Sequence, residues 1–187
     1  MKDIILASQS PRRKEIFSML NLPFTCVPSS IDETINAYNN LEDEIKDLSK
    51  RKAQSILEEN PDAIVIGSDT IVIVDGYVLG KPADKEEASK MMHLLQGKTH
   101  QVLTGLCILS SKREYNDISI SSVTFMELSD EEINVYLEND EWKDKAGAYA
   151  IQGNAGKFIK AIEGDYYAIM GLPLQMVYEE LKNAALY

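Results

Sequence analysis

Asp69 is the residue of this chain whose position most demands a physical reason. It stands between two apolar, largely β-branched runs, 63–66 and 71–74, where an unpartnered charge is costly to bury. Three readings fit it: a turn residue helped by Gly67, a structural partner for a buried lysine, or a carboxylate at a strand end that holds a metal or moves a proton. Ligands bind at strand ends in α/β folds, which gives the third reading its weight. Lys81 lies between Gly80 and Pro82, after the turn signal Asp75-Gly76. A hairpin there returns it toward the level of Asp69. A lysine so placed can position phosphate or orient a metal-bound water; otherwise it is an ordinary solvated loop lysine. Asp32 and Glu33 are adjacent carboxylates ahead of a polar stretch. Either they serve solubility alone, or they join Asp69 in the all-oxygen kind of site that magnesium prefers. One or two protein carboxylates suffice for such a site, because water and substrate phosphate supply the other oxygens.

Ser10-Pro11-Arg12-Arg13 reads as a helix start, with serine favoured as the cap and proline at the first helical position. Two arginines have the wrong sign for the positive end of a helix dipole. An anion held between them and the free N–H groups removes that penalty, and phosphate is the common choice. Lys14 extends the basic cluster. Farther on, Gln152 sits in Ala150-Ile151-Gln152-Gly153. Its amide presents a donor and an acceptor together and so can read the edge of a base. Gly147, Gly153 and Gly156 allow close backbone approach, although the same run is also compatible with a plain glycine-rich turn. It matches neither a Rossmann nor a Walker pattern.

The elements that must position these residues follow from periodicity and punctuation. Residues 4–7 read as a buried strand, 12–20 as a helix stopped at Asn21, 24–27 as a second strand and 29–40 as a polar loop. Residues 41–59 read as a long amphipathic helix with Ile45, Leu48, Ala53, Ile56 and Leu57 facing the core. Strand segments 63–66 and 71–74 flank an interruption at 67–70, and 77–79 forms the return strand. A helix over 85–95 and strands over 101–109 and 118–128 come next. Ser129 and Glu132 form a capping box for a helix over 130–138. Strands over 157–162 and 166–170 surround the turn Glu163-Gly164-Asp165, and a helix runs from Pro173 to about residue 185. The mixture gives an α/β or α+β class with a mixed sheet, arranged as one domain, 1–187, with two lobes around a cleft.

The chain has 187 residues, 44% apolar and 26% charged, the composition of a folded globular protein. Acidic residues outnumber basic ones by 30 to 19, for a formal charge of −11. That field disfavours nucleic acid and anionic membrane as partners. It also repels a nucleotide, unless cations are concentrated at one place, as at residues 12–14. Cys26 and Cys107 read as two buried thiols in a reducing compartment rather than a disulfide. The two histidines, His93 and His100, are too few for a zinc site. The N-terminal apolar run is too short for a signal peptide, and no run reaches the length of a membrane span. The expectation is a cytoplasmic, soluble protein.

Taken together, the segments resemble the Maf family of nucleoside triphosphate pyrophosphatases. The matching pieces are Leu6-Ala7-Ser8-Gln9-Ser10-Pro11-Arg12-Arg13, Gly67-Ser68-Asp69-Thr70, Gly80-Lys81-Pro82 and Asp144-Lys145-Ala146-Gly147-Ala148-Tyr149-Ala150-Ile151-Gln152-Gly153. Gly164-Asp165-Tyr166 and Met170-Gly171-Leu172-Pro173 complete the set, in family order and over nearly the whole chain. The resemblance implies an elongated mixed β-sheet flanked by helices, related to the inosine triphosphate pyrophosphatases (the Maf/Ham1 fold). It implies cleavage of a nucleoside triphosphate to monophosphate and diphosphate, a divalent cation such as Mg²⁺ or Mn²⁺, and a homodimer. Asp69 matches the proton acceptor, Arg12, Thr70 and Gln152 the substrate-distinguishing positions, and Ser8, Arg13, Glu33, Lys52 and Lys81 the polar positions around phosphates and metal. The Ala-Tyr-Ala-Ile-Gln-Gly run resembles the branch acting on dTTP and UTP, and on modified pyrimidine nucleotides, rather than the 7-methyl-GTP branch. Family members are associated with arrested septum formation, so a non-catalytic nucleotide-binding regulator is one rival reading. A nucleotidyltransferase that needs an acceptor is another.

Overall fold

The computed structural model describes residues 3–35 and 40–184. It is a mixed α/β protein built on a seven-stranded sheet. The strands are β1 (Ile4–Leu6), β2 (Thr25–Cys26), β3 (Ile64–Val74), β4 (Tyr77–Leu79), β5 (Thr99–Ser110), β6 (Arg113–Phe125) and β7 (Ile159–Glu163). Their order is β2-β1-β3-β5-β6-β7, with β4 paired to β3 off this path. The helices are α1 (Pro11–Ser18), α2 (Leu41–Glu59), α3 (Lys85–Leu95), α4 (Asp130–Tyr136), α5 (Tyr166–Met170) and α6 (Leu174–Asn183).

The described residues fall into two compact units. The first draws on residues 3–35, 40–69, 104–119 and 171–184, the second on residues 70–103 and 120–170. In the first, β1 pairs in parallel with β2 on one side and with β3 on the other, in register Ile4↔Ile64, Ile5↔Val65 and Leu6↔Ile66. Parallel strands covered by helices read as unbroken apolar runs, and Ile4, Ile5, Leu6, Ile64, Val65 and Ile66 are all buried. Ala53 and Ile56 of α2 pack with Ile5, Ala7, Val65, Cys107 and Leu109 in one core cluster. In the second unit, β4 returns antiparallel on β3 through Asp75 and Gly76, whose φ values of 49° and 81° suit a tight hairpin turn. There β7 pairs antiparallel with β6, and α3 packs against α4.

Several sequence expectations need correction. The strand through Asp69 is continuous over eleven residues, not interrupted at 67–70. Residues 166–170 are helical: Asp165 Oδ1 accepts the N–H groups of Tyr167 (2.8 Å) and Ala168 (3.1 Å), an aspartate cap that starts a turn of helix. The second strand is only Thr25–Cys26, and Cys26 is exposed rather than buried. Cys107 is buried as expected, and burial pushes its thiol pKa up to about 12. The helix of 41–59 and the capping box of Ser129 with Glu132 form as read. Residue 185 lies outside the described residues.

Candidate active site

Leu6 ends β1, and the chain turns immediately. Ser8 is buried there, and its Oγ accepts the N–H of Ser10 at 3.1 Å. Ser10 caps α1 with its own Oγ, and Pro11 takes the first helical position. No acidic residue lies in the first turn; Arg12, Arg13 and Lys14 are there instead, an arrangement that suits a small anion. Arg13 is held firmly: its Nε donates to the carbonyl of Gly171 at 2.7 Å. Its Nη2 lies at the longer distance of 3.5 Å from Asp69 Oδ1. Gly171 has φ +123°, a conformation in which a side chain is strained. Its carbonyl also lies 3.1 Å from Ser68 Oγ, which donates to Gly105 O at 2.8 Å. This support for Arg13 is invisible to motif spacing, because Gly171 is 158 residues away.

Lys52 is the second cation on Asp69. It is only 4% exposed, and a lysine so buried needs anionic partners. Its Nζ lies 2.9 Å from Glu33 Oε1 and 3.3 Å from Asp69 Oδ2. Arg13, Asp69, Lys52 and Glu33 therefore form one alternating chain of charges, with formal net charge zero. α2 carries Lys52 to this point by pressing unusually close to the sheet. A Cβ on Gly67 would sit 2.3 Å from Ser49 O, and one on Gly105 would sit 2.5 Å from Ile45 O. Ile45, Ser49 and Lys52 share one face of the helix, at successive turns. The same helix fixes the loop that carries Glu33. Ser55 Oγ hydrogen-bonds Ser29 Oγ at 2.9 Å, and Arg51 Nη1 donates to Asp32 O at 2.8 Å. Asp32 turns the other way. Its carboxylate accepts from Thr34 Oγ1 (2.6 Å) and Thr34 N (2.9 Å), which holds its pKa below the usual value.

The described residues contain no group of three or more His, Cys, Asp and Glu able to hold a metal. The two carboxylates gathered on Lys52, Glu33 and Asp69, form a smaller, all-oxygen set. Its chemistry fits a hard divalent cation that takes its other ligands from water and phosphate.

Thr70, Lys81 and Gln152 belong to the second unit. Two residues beyond the pair Val72↔Leu79 come Thr70 on one strand and Lys81 past the other, so the hairpin returns Lys81 to the level of Thr70. Lys81 is exposed, and its neighbour Gly80 accepts the N–H of Gly147 at 3.1 Å. That bond ties the Gly-Lys-Pro turn to the segment that leads to Gln152. Gln152 is itself exposed, in a turn closed by Gly153 N–H to Ala150 O at 3.1 Å. Arg12 is half-buried on α1. No helix of the described residues is long and apolar enough to cross a membrane.

Comparison with known proteins agrees with this architecture. A solved structure, the Staphylococcus aureus Ham1 protein, superposes with a TM-score of 0.54 at 13% identity, over 98% of this chain and 100% of that one. At that identity the likeness concerns the fold. A protein of Bacillus cereus (strain G9842) named dTTP/UTP pyrophosphatase is 46% identical over 183 residues, 98% of this chain and 96% of that protein. One of the same name from Bacillus cytotoxicus is also 46% identical over 183 residues. Residues 3–184 match the family described as Maf-like protein, and with relatives this similar over nearly its full length, the chain belongs to that family.

Proposed function

We propose that this protein hydrolyses dTTP and UTP, and modified pyrimidine nucleotides of the same base edge, to the monophosphate and diphosphate. The observation that carries the reading is Asp69, a carboxylate held between Arg13 and Lys52 in a chain whose nearby helix start is cationic. Its 46% identity to proteins named for that activity supports the choice of substrate.

In this reading Arg12, Arg13, Ser8 and the free N–H groups of α1 bind the triphosphate, while Lys52 holds Asp69 and Glu33 in place. Asp69 orients a water and takes its proton as the water oxygen attacks the α-phosphorus. The bond to the bridging oxygen of the β-phosphate breaks, and diphosphate leaves with that oxygen. Lys81 offsets the negative charge that develops on it. Glu33 and Asp69 would hold a divalent cation, Mg²⁺ or Mn²⁺, which when bound neutralises charge on the phosphate oxygens. Catalysis of this kind is mostly positioning and electrostatics. Thr70 and Gln152 select the base. Uracil and thymine present the same N3–H donor and O4 acceptor, so an amide that reads this edge accepts both. Residues 1–187 act as one catalytic domain in the cytoplasm, as a homodimer.

The test is a nucleotide panel scored for diphosphate and orthophosphate, with and without Mg²⁺. Diphosphate from dTTP and UTP is the expected product; orthophosphate in its place rejects cleavage at the α-phosphorus. Asp69→Asn should lower kcat by about 10²-fold or more with Mg²⁺ present. Turnover near that of the unaltered protein removes Asp69 from the mechanism.

A further inference from the structure

The segment that presents Gln152 is under backbone strain, and what holds it lies outside the matching motifs. Asp144 and Ala148 have φ of 58° and 62°, and Gly147 lies between them at 69°. Non-glycine residues in this region are strained and persist only where their surroundings impose the conformation. Ala148 is fully buried, and the hydroxyl of Tyr136 donates to its carbonyl at 3.1 Å. The next residue, Tyr149, shares a 2.8 Å hydrogen bond with buried His100. On the far side of Gln152 the anchor is Glu141. Its Oε2 accepts the N–H of Asn154 at 2.7 Å and its Oε1 the N–H of Ala155 at 3.2 Å. These are the first N–H groups of a 3-10 turn, Asn154–Phe158, which has no side-chain cap of its own. Gly153 makes room for the carboxylate: a Cβ there would lie 2.4 Å from Glu141 Cδ and Oε1. Tyr136 also lies 3.5 Å from Glu141 Oε1, which links the two anchors. Residues 150–153 are thus suspended between pinned neighbours on both sides.

We propose that Glu141, with Tyr136, is a positioning residue for substrate selection: it fixes the backbone on either side of Gln152 and so aims that amide at the pyrimidine. This rests on the reading of Gln152 given above. Glu141 acts through hydrogen bonds to backbone and touches no substrate. Glu141→Gln keeps the shape but turns an NH₂ group toward one of the two N–H donors, so one bond is replaced by a repulsive contact.

The experiment is steady-state kinetics with UTP and dTTP on the full chain. It uses the unaltered protein, Glu141→Gln, Gln152→Ala and the double variant, with thermal unfolding of each. Glu141→Gln should raise KM by about tenfold with a much smaller change in kcat, because ground-state alignment is lost rather than chemistry. In the Gln152→Ala background the same change should have no further effect on KM, since residues acting through one another are not additive. Tyr136→Phe should raise KM in the same direction, by roughly threefold, and it carries the test if Glu141→Gln does not fold. Unaltered KM in these variants, or KM effects that multiply with Gln152→Ala, overturns the proposal while the pyrophosphatase reading stands. Absence of diphosphate from every nucleotide with the unaltered protein overturns both.

Discussion

Two buried side chains of opposite temperament show how residue environment decides role. Lys52 keeps its charge company by sitting between Glu33 and Asp69, and breaking such an arrangement by removing one partner is strongly destabilising. Among the described residues His100 has no charged partner. It is 1% exposed, bonded to Tyr149 and packed edge-on against the rings of Phe125 and Tyr149. Burial lowers its pKa to about 4. An unfolded histidine takes up its proton near pH 6.5, so between there and about pH 4 the unfolded chain binds a proton that the folded one refuses. Stability from this residue is therefore complete above about pH 6.5 and lost as pH falls, by up to about 3 kcal/mol. Urea unfolding across pH 4 to 7 should show this loss in the unaltered protein. A His100→Gln variant should show it reduced; an identical pH dependence in both would mean that carboxylates alone are responsible.

α2 does more than cover the sheet. One helix supplies Lys52, anchors the Glu33 loop through Arg51 and Ser55, and reaches both through its close approach at Gly67 and Gly105. Gly67→Ala would place a methyl 2.3 Å from Ser49 O and 2.9 Å from Ala53 N, both backbone atoms that cannot yield separately. The helix must move as a unit, at a cost of about 3 kcal/mol, which corresponds to roughly 6–12 °C in Tm for a chain of this size. Because Lys52 moves with the helix, turnover should fall as well. Gly80→Ala is the comparison, since a Cβ there meets nothing within 4 Å. A Gly67→Ala protein melting at the same temperature as Gly80→Ala would remove the close approach from the account.

At the scale of the whole molecule, the formal charge of −11 sets a background against which the cations of α1 act locally. A single cationic helix start can bind a small anion, because its N–H groups and guanidinium groups are within contact range. It does not hold a polyanion against the repulsion of a chain whose formal charge is −11. Electrophoretic mobility-shift assays with duplex or single-stranded DNA at 50 mM salt should accordingly show no complex, at a low salt concentration that would favour one. A retarded band would show that the basic residues form a longer stripe than residues 12–14.

The serine cap at Ser10, the box of Ser129 and Glu132, the Asp75-Gly76 turn and the apolar stripe of α2 were all legible in the chain, because each depends on residues within about four positions of one another. Residues 166–170 read as a strand in the sequence and are helical in the structure, where Asp165 caps them, because a five-residue apolar segment fits either period. Lys52 carried a signal as well, a charge on the buried stripe of an amphipathic helix, but its spacing named no partner. Local sequence sets which residue types are available for phosphate chemistry and the turns that carry them. That Glu33 rather than Asp32 shares Lys52, that Gly171 holds Arg13, and that Glu141 pins the turn of Gln152 are facts of the folded chain. Those choices rest on contacts between residues from 13 to 158 positions apart, beyond the reach of any local pattern.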